Sequence, residues 1–355
     1  MAQIDRLLTH LKDQGGSDLH LAAGLEPRIR KSGRLVPIAG QQRLSDEMLR
    51  ELLEEITSEK QWDEYTGCGD LDFAHALPGV ARFRANYFTQ ENGAGAVFRI
   101  IPEEIVPAEK LGLCDAIVKL ADLEQGLVLV TGPTGSGKST TLAAIIHRIN
   151  TRHAKHIVTI EDPVEFVHQN RKCVVSHREV GDHTEGFAGA LRAVIRQDAN
   201  IILVGEMRDY ETISLAITAA EMGSLVFGTL HTNGAAKTID RIIDAFPADE
   251  QSQARMSLSE SLSAVVSQLL LATADGKGRC AAHEILLRTS GLGNIIREGN
   301  TPMLTSIIQG GKAVGMQSMD DCLFELVKSG RVKASEALHK ATDKARFEPL
   351  VAQQK

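Results

Sequence analysis

Gly132-Pro133-Thr134-Gly135-Ser136-Gly137-Lys138-Ser139 matches the spacing G-x-x-x-x-G-K-[ST] at every position. An apolar run, Gly126-Leu127-Val128-Leu129-Val130, leads into it, and Thr140-Thr141-Leu142-Ala143-Ala144-Ile145-Ile146 follows with helical character, so the context is strand, loop, helix. Glycines let the backbone turn tightly and aim its N–H groups at phosphate oxygens, while the start of the following helix adds a partial positive charge. This chemistry puts Lys138 on the β- and γ-phosphates and the Ser139 hydroxyl on Mg²⁺. The sequence thus predicts a site for ATP built from Gly132, Pro133, Thr134, Gly135, Ser136, Gly137, Lys138, Ser139 and Thr140.

Such a loop needs a sheet to hold it, and from about residue 121 apolar strands alternate with helical patterns, as in parallel β-α units. After the strand that enters the loop comes Ile157-Val158-Thr159-Ile160, ending in Glu161-Asp162-Pro163-Val164-Glu165. Ile201-Ile202-Leu203-Val204 ends in Gly205-Glu206-Met207-Arg208-Asp209, and Leu225-Val226-Phe227-Gly228-Thr229-Leu230 ends in His231-Thr232. Parallel strands deliver these ends to one edge, where ligands bind. Glu206 then suits an acidic partner for Mg²⁺, directly or through water; Glu161, Asp162 and Glu165 are alternatives for the base that takes a proton from water; His231 suits a γ-phosphate contact. Helical spacing marks Phe187-Leu191-Val194-Ile195, Ile213-Ile217-Ala220 and Ile239-Ile242-Ile243-Phe246, and a longer helix is expected over Leu258, Leu262, Val265, Val266, Leu269 and Leu270. Beyond a hinge-like Ala274-Asp275-Gly276-Lys277-Gly278, the chain is expected to be mostly helical, from about residue 285 onward.

The first hundred residues read differently. Ile4, Leu7, Leu8 and Leu11 sit at helical spacing; Arg28 to Val36 reads as a hairpin about Ser32-Gly33; and Ser45 caps a helix with Met48, Leu49, Leu52, Leu53 and Ile56 on its apolar stripe. From Leu71 to Ile101 the period is two, with turns at Pro78-Gly79 and Asn92-Gly93. Ala81, Phe83, Ala85 and Tyr87 therefore share one face, and Arg82 and Arg84 the other, with Arg99 in the last run. Residues 1–100 make a small α+β domain, 101–120 a proline-interrupted linker, and 121–355 the phosphate-loop domain.

Composition narrows the function classes. The 355 residues, 43% hydrophobic and 24% charged, belong to an ordinary globular chain, and a net charge of −7 argues against nucleic acid as the main partner. The cysteines, Cys68, Cys114, Cys173, Cys280 and Cys322, form no C-x-x-C pair, which points away from zinc and redox motifs. Nothing approaches 18 consecutive apolar residues and no secretion signal opens the chain, so a cytoplasmic, soluble protein is expected, able to dock on a membrane complex.

The four strand-end motifs, Thr131 to Thr141, Ile160 to Phe166, Gly205 to Asp209 and Gly228 to Thr232, resemble the Walker A, Asp-box, Walker B and His-box motifs of type II/IV secretion ATPases. Gly15-Gly16-Ser17-Asp18-Leu19-His20-Leu21, Arg82-Phe83-Arg84 and Gly93-Ala94-Gly95-Ala96-Val97-Phe98-Arg99 extend the likeness to the PilT branch, the type IV pilus retraction motors. The resemblance implies a PAS-like N-terminal domain, a RecA-like ATPase domain and a ring of six subunits. An inner-membrane platform protein follows as partner, with a second retraction ATPase as a further one. It makes Glu165 the catalytic base, Glu206 the Walker B acid, and Arg82, Arg84 and Arg99 nucleotide-facing arginines.

Three positions and one segment depart from the family pattern. Ser224 stands where a second His-box histidine is usual, which implies a weaker phosphate-sensing contact beside His231; Asn92 replaces an arginine and Asn200 an acid. Gly291-Leu292-Gly293-Asn294-Ile295-Ile296-Arg297-Glu298 occupies the segment tied to retraction, with glycines that weaken a helix. The resemblance to a motor is thereby joined by a second reading, a nucleotide-binding accessory paralogue that modulates another motor ring.

Overall fold

The computed structural model describes residues 2–31, 33–101 and 104–353. Ser32 of the expected hairpin turn and Pro102-Glu103 of the expected linker lie outside the described residues. The chain forms two compact units, one of Met1–Glu104 together with Asp162–Val167, the other of Ile105–Glu161 and His168–Lys355.

In the first unit, helix α1 (Gln3–Asp13) precedes strands β1 (Asp18–Ala22), β2 (Arg28–Lys31) and β3 (Arg34–Pro37). Helices α2 (Asp46–Glu54) and α3 (Glu59–Cys68) follow, then β4 (Asp70–Leu77), β5 (Ala81–Gln90) and β6 (Gly93–Ile101). Among the described residues the strands make a six-stranded antiparallel sheet in the order β3-β2-β1-β6-β5-β4. One face is packed: Ile4, Leu8 and Leu11 of α1 and Leu49 and Leu53 of α2 bury against Leu19, Phe83, Ala85, Tyr87 and Phe98. The Tyr87 hydroxyl finds a partner inside this core, donating to the Leu53 carbonyl at 3.1 Å. Period two leaves Arg82, Arg84 and Arg99 on the opposite face, as the alternation in β5 and β6 predicts.

The second unit begins with two helical turns, α4 (Ala108–Leu111) and α5 (Asp115–Val118), before β7 (Gly126–Thr131) and α6 (Lys138–Arg152). It continues through β8 (His156–Glu161), β9 (Val174–Glu179), α7 (Phe187–Val194), β10 (Ile201–Val204), α8 (Tyr210–Glu221), β11 (Leu225–Leu230), α9 (Ala235–Asp244) and α10 (Gln251–Ser261). After β12 (Leu262–Ala272) and β13 (Arg279–Leu287) the chain is helical: α11 (Ser290–Glu298), α12 (Leu304–Gly310), α13 (Met319–Lys328), α14 (Ala334–Lys340) and α15 (Glu348–Gln353). The described residues form a seven-stranded sheet ordered β13-β12-β7-β11-β10-β8-β9, parallel throughout except for the edge strand β13. Along β7, Leu127 and Leu129 enter a core shared with α8 to α12, while Val128 and Val130 enter one shared with α6. A strand covered on both faces reads as an unbroken apolar run, which is why β7, β10 and β11 are legible from sequence.

Two expectations are corrected. The long helix expected through Leu270 ends at Ser261, and Leu262–Ala272 is a strand. Apolar residues at i, i+3 and i+4 are present, but so is a nearly continuous run with Val265 and Val266 inside it; a buried strand satisfies both templates. Ala274 to Gly278 is the turn of the hairpin joining β12 to β13, closed by Thr273 N–H on the Gly278 carbonyl at 3.0 Å, rather than a hinge. Edge strand β9 had no apolar run to announce it, since Val174 is exposed and the next four residues are half-buried. The segment Gly291 to Glu298, despite its glycines, is helical within α11, because Leu292 and Ile296 bury in the core; tertiary packing outweighs about 1 kcal/mol per glycine.

Two histidines are buried in the second unit. Burial lowers His168 to about 3 and His283 to about 4, so both are neutral when folded and titrate near 6.5 when unfolded. Unfolded chains bind more protons between these values, so stability is full above about pH 6.5 and is lost as pH falls toward 4; for His283 the shift corresponds to roughly 3 kcal/mol. We expect the thermal midpoint to fall steadily from pH 7 to pH 4.5, and His168→Phe to flatten that dependence in scanning calorimetry. A midpoint constant over this range would contradict the burial described.

Candidate functional site

Register sets the level of the site. Thr131 of β7 pairs with Leu230 of β11 on one side and with Ser267 of β12 on the other. The next residues along the three strands, Gly132, His231 and Gln268, therefore stand level at the edge where the parallel strands end. Val204 of β10 pairs with Gly228 of β11 and Ile160 of β8, so Glu206 emerges at the same edge.

The loop itself is shaped by close approach. Gly132 has φ 139° and Gly137 φ 87°, conformations that L residues avoid; a Cβ on Gly132 would be driven into the Gln268 carbonyl, and one on Gly137 would sit 2.8 Å from Gln268 Nε2. Pro133, Thr134 and Gly135 are exposed at the crest of the turn, and a Cβ on Gly135 would meet open space. Ser136 is buried, with no hydrogen-bond partner for its hydroxyl, an orphaned polar atom inside the loop. Lys138 opens α6, and its ammonium donates to the carbonyls of Gly132 at 2.9 Å and Pro133 at 3.2 Å. Ser139 and Thr140 complete the first turn, which carries no acid and whose N–H groups precede any intrahelical acceptor. These features fit a polyphosphate: an anion-binding turn, a spare hydroxyl and a cation at its mouth.

Glu206 lies beside this loop. Burial pushes its carboxyl up, but hydrogen bonding to Arg208 at 2.7 Å and the charges of Arg208, His231 and Lys138 outweigh burial and hold it below the ordinary carboxylate range. An ionised Glu206 can only accept, so His231 donates its Nε2–H across 3.1 Å. Glu206 and the Ser139 hydroxyl would supply one or two oxygens to a Mg²⁺ arriving with a nucleotide, the protein share usual for such an ion. Among the described residues no group of three or more His, Cys, Asp or Glu forms a metal cage, and Mg²⁺ carried on phosphates does not require one.

Glu165 falls in the first unit with the arginines, although its sequence position suggested the edge of the second unit's sheet. Arg84 Nη1 lies 4.0 Å from Glu165 Oε1, and Arg84 Nε is 3.1 Å from both carboxylate oxygens of Asp72; Arg82 Nε donates to the Val164 carbonyl at 3.2 Å. Arg84 pairs directly across from Arg99, a like-charge juxtaposition. Asp18, only 4% exposed, relieves it, accepting from Arg99 Nε at 2.8 Å with Arg30 Nε at 3.5 Å. Burial would raise the Asp18 carboxyl, but hydrogen bonds from Arg99 and Ser17, with the Arg99 charge, hold it below its ordinary value.

Full-length similarity decides the family, because a model for "Type II/IV secretion system protein" matches residues 3–345. The chain belongs to that family. Within the type II/IV secretion family it is 51% identical to the type IV pilus retraction ATPase PilT of Pseudomonas aeruginosa, over 95% of this chain and 98% of the relative. It is 39% identical to the type IV pilus ATPase PilU of the same organism, over 95% of this chain and 88% of PilU. A crystal structure of the pilus retraction motor PilT with bound ADP superposes with a TM-score of 0.89 at 41% identity, covering 98% of this chain and 100% of that one. The mixed α/β architecture of type II/IV secretion ATPases is thus present over the whole length, and no helix among the described residues is long and apolar enough to cross a membrane.

Sequence reasoning missed Gln268 and misplaced Ser224. Ser224 precedes β11 and His231 follows it, so the two stand at opposite ends of a strand, about 20 Å apart at 3.3 Å per residue. Ser224 Oγ donates to the Ala199 carbonyl at 3.1 Å, closing the far end of the sheet. Asn200 works there too, its side-chain carbonyl accepting from His156 N at 2.8 Å. Ser224 therefore does not form a second half of a phosphate-sensing pair with His231 within the chain. Ser224→His is expected to leave ATP turnover within about twofold of the parent, a change of less than 0.5 kcal/mol in the barrier; a larger change in steady-state phosphate release would contradict the far-end placement.

Proposed function

We propose that this chain is a hexameric, Mg²⁺-dependent ATPase that powers type IV pilus retraction, working in the cytoplasm against an inner-membrane platform protein. The observation that carries the reading is 51% identity to the retraction ATPase PilT over nearly the full length of both chains, with every position of the phosphate-loop motif present. In this reading Gly132 to Thr140 bind ATP, and Ser139 with Glu206 hold Mg²⁺, which when bound neutralises charge on the β- and γ-oxygens. Glu165 orients water and takes its proton as the water oxygen bonds to the γ-phosphorus and the bond to the ADP oxygen breaks. Lys138 stabilises the charge left on ADP, and His231 reports the γ-phosphate to Glu206.

Arg82, Arg84 and Arg99 act as the mobile positive charge. Their shared sheet face supports this, as does tethering of Arg84 and Arg99 to Asp72 and Asp18, from which a more strongly charged phosphate would draw them. Rotation of the smaller unit, which carries Glu165 and the arginines, relative to the phosphate-loop unit is then the power stroke. A homohexamer makes such strokes sequential, through differential affinity for open and closed interfaces.

The accessory reading is kept by one observation, 39% identity to PilU over 95% of the chain, and a second retraction ATPase would then be its partner. Turnover by the purified chain separates the two. We expect sustained Mg·ATP hydrolysis without any other protein, abolished in Lys138→Ala and reduced about 10²- to 10⁴-fold in Glu165→Gln with ATP binding retained. Hydrolysis absent from wild type but restored by adding another motor ring would favour the accessory role. Activity retained in Glu165→Gln and lost in Glu161→Gln would move the base to the other carboxylate.

A further inference from the structure

One side chain from outside the phosphate-loop motif is hydrogen-bonded into it. Gln268 lies on β12, 2% exposed, level with Gly132 across the parallel pairing of β12 and β7. Its Nε2 donates to the Ser136 carbonyl at 2.6 Å. Its Oε1 accepts from the Thr141 hydroxyl at 2.7 Å and from His283 Nε2 at 3.1 Å. The amide has one chemically sound orientation, since the reversed one would set Oε1 against the Ser136 carbonyl, two acceptors face to face. His283, 5% exposed and on the neighbouring β13, then carries its proton on Nε2; its main chain is fixed in turn, its carbonyl accepting from Gln317 Nε2 at 2.9 Å.

The consequence follows from peptide geometry. In a trans peptide the C=O and the next N–H point in opposite directions, so anchoring the Ser136 carbonyl to Gln268 turns the Gly137 N–H away from β12. We propose that Gln268, supported by His283, is a positioning residue of the phosphate-binding loop, fixing the Ser136–Gly137 peptide so that the Gly137 N–H faces the nucleotide phosphates. The same residue accounts for the glycines beside it, as its carbonyl excludes a Cβ on Gly132 and its amide nitrogen excludes one on Gly137. Gln268 does not touch the reacting atoms; it acts through the loop backbone. The inference rests on the reading of Gly132 to Thr140 as the nucleotide site.

The test is ADP affinity of the full-length chain by isothermal titration calorimetry, with the thermal midpoint measured in parallel. Gln268→Glu keeps the acceptor for Thr141 and His283 but sets a carboxylate oxygen against the Ser136 carbonyl, and we expect it to weaken ADP binding by about tenfold or more. Gln268→Met keeps the volume without any hydrogen bond and should weaken binding as well; it carries the test if the glutamate variant does not fold. Val332→Ala, in the separate cluster beneath α13 and α14, should lower the midpoint without changing ADP affinity, which shows that lost stability alone does not weaken binding. ADP affinity within twofold of wild type in both folded Gln268 variants, with binding lost in Lys138→Ala, overturns the role of Gln268 and leaves the nucleotide site standing. Wild-type protein that binds no ADP removes both.

Discussion

Parallel pairing of β7 between β11 and β12 is the constraint on which the nucleotide unit depends. A phosphate loop works only if its N–H groups are turned outward and held there, and the loop is too glycine-rich to hold itself. The neighbouring strands supply what it lacks. On one side β11 ends in His231, bonded to Glu206; on the other β12 runs past the loop and offers Gln268 to the Ser136 carbonyl. The strands reach this edge in register because their side chains fill two separate cores, Leu127 and Leu129 on one face and Val128 and Val130 on the other. A slip of one residue would exchange the two sets and carry Gly132 out of level with both neighbours.

In the smaller unit the constraint is electrostatic. Its sheet buries one face through Phe83, Tyr87 and Phe98 and gathers cations on the other, where Arg84 and Arg99 stand directly opposed. Asp18 and Asp72 make that arrangement tolerable, each accepting from one of the two arginines. Asp18 is itself buried, so its charge needs its partners as much as they need it. The nucleotide-facing role proposed for these arginines rests on this cationic face, whose charges are held by acids of the same sheet.

The legibility of this protein divides along physical lines. The phosphate loop, the strands that feed the edge and the arginine face could be read because each has an unambiguous period or a fixed spacing: unbroken apolar runs for buried parallel strands, alternation for β5. Strand β12 could not, since Leu258, Leu262, Val265 and Leu269 satisfy a helical stripe as well as a buried strand, and only the sheet chooses between them. Gln268 was hidden for the same reason. The one signal was a lone amide inside Val265-Val266-Ser267-Gln268-Leu269-Leu270, and a buried amide in a strand must find partners. Ser224 failed in the opposite way: the family pattern coupled it to His231, but an extended strand holds the two residues at opposite ends. Glu165 was legible as an acid and not in its company, because the segment Asp162–Val167 packs with the arginine-bearing unit.

The central claim is that hydrolysis at the Gly132 to Thr140 loop drives pilus retraction, and retraction itself is its most direct measure. In the organism that carries this chain, deleting its gene and watching labelled pili should show extension without retraction. Wild-type protein should restore retraction, while a Lys138→Ala chain expressed at the same level should not. Retraction that continues at normal frequency and speed in the deletion strain, with no other retraction ATPase present, would contradict the account.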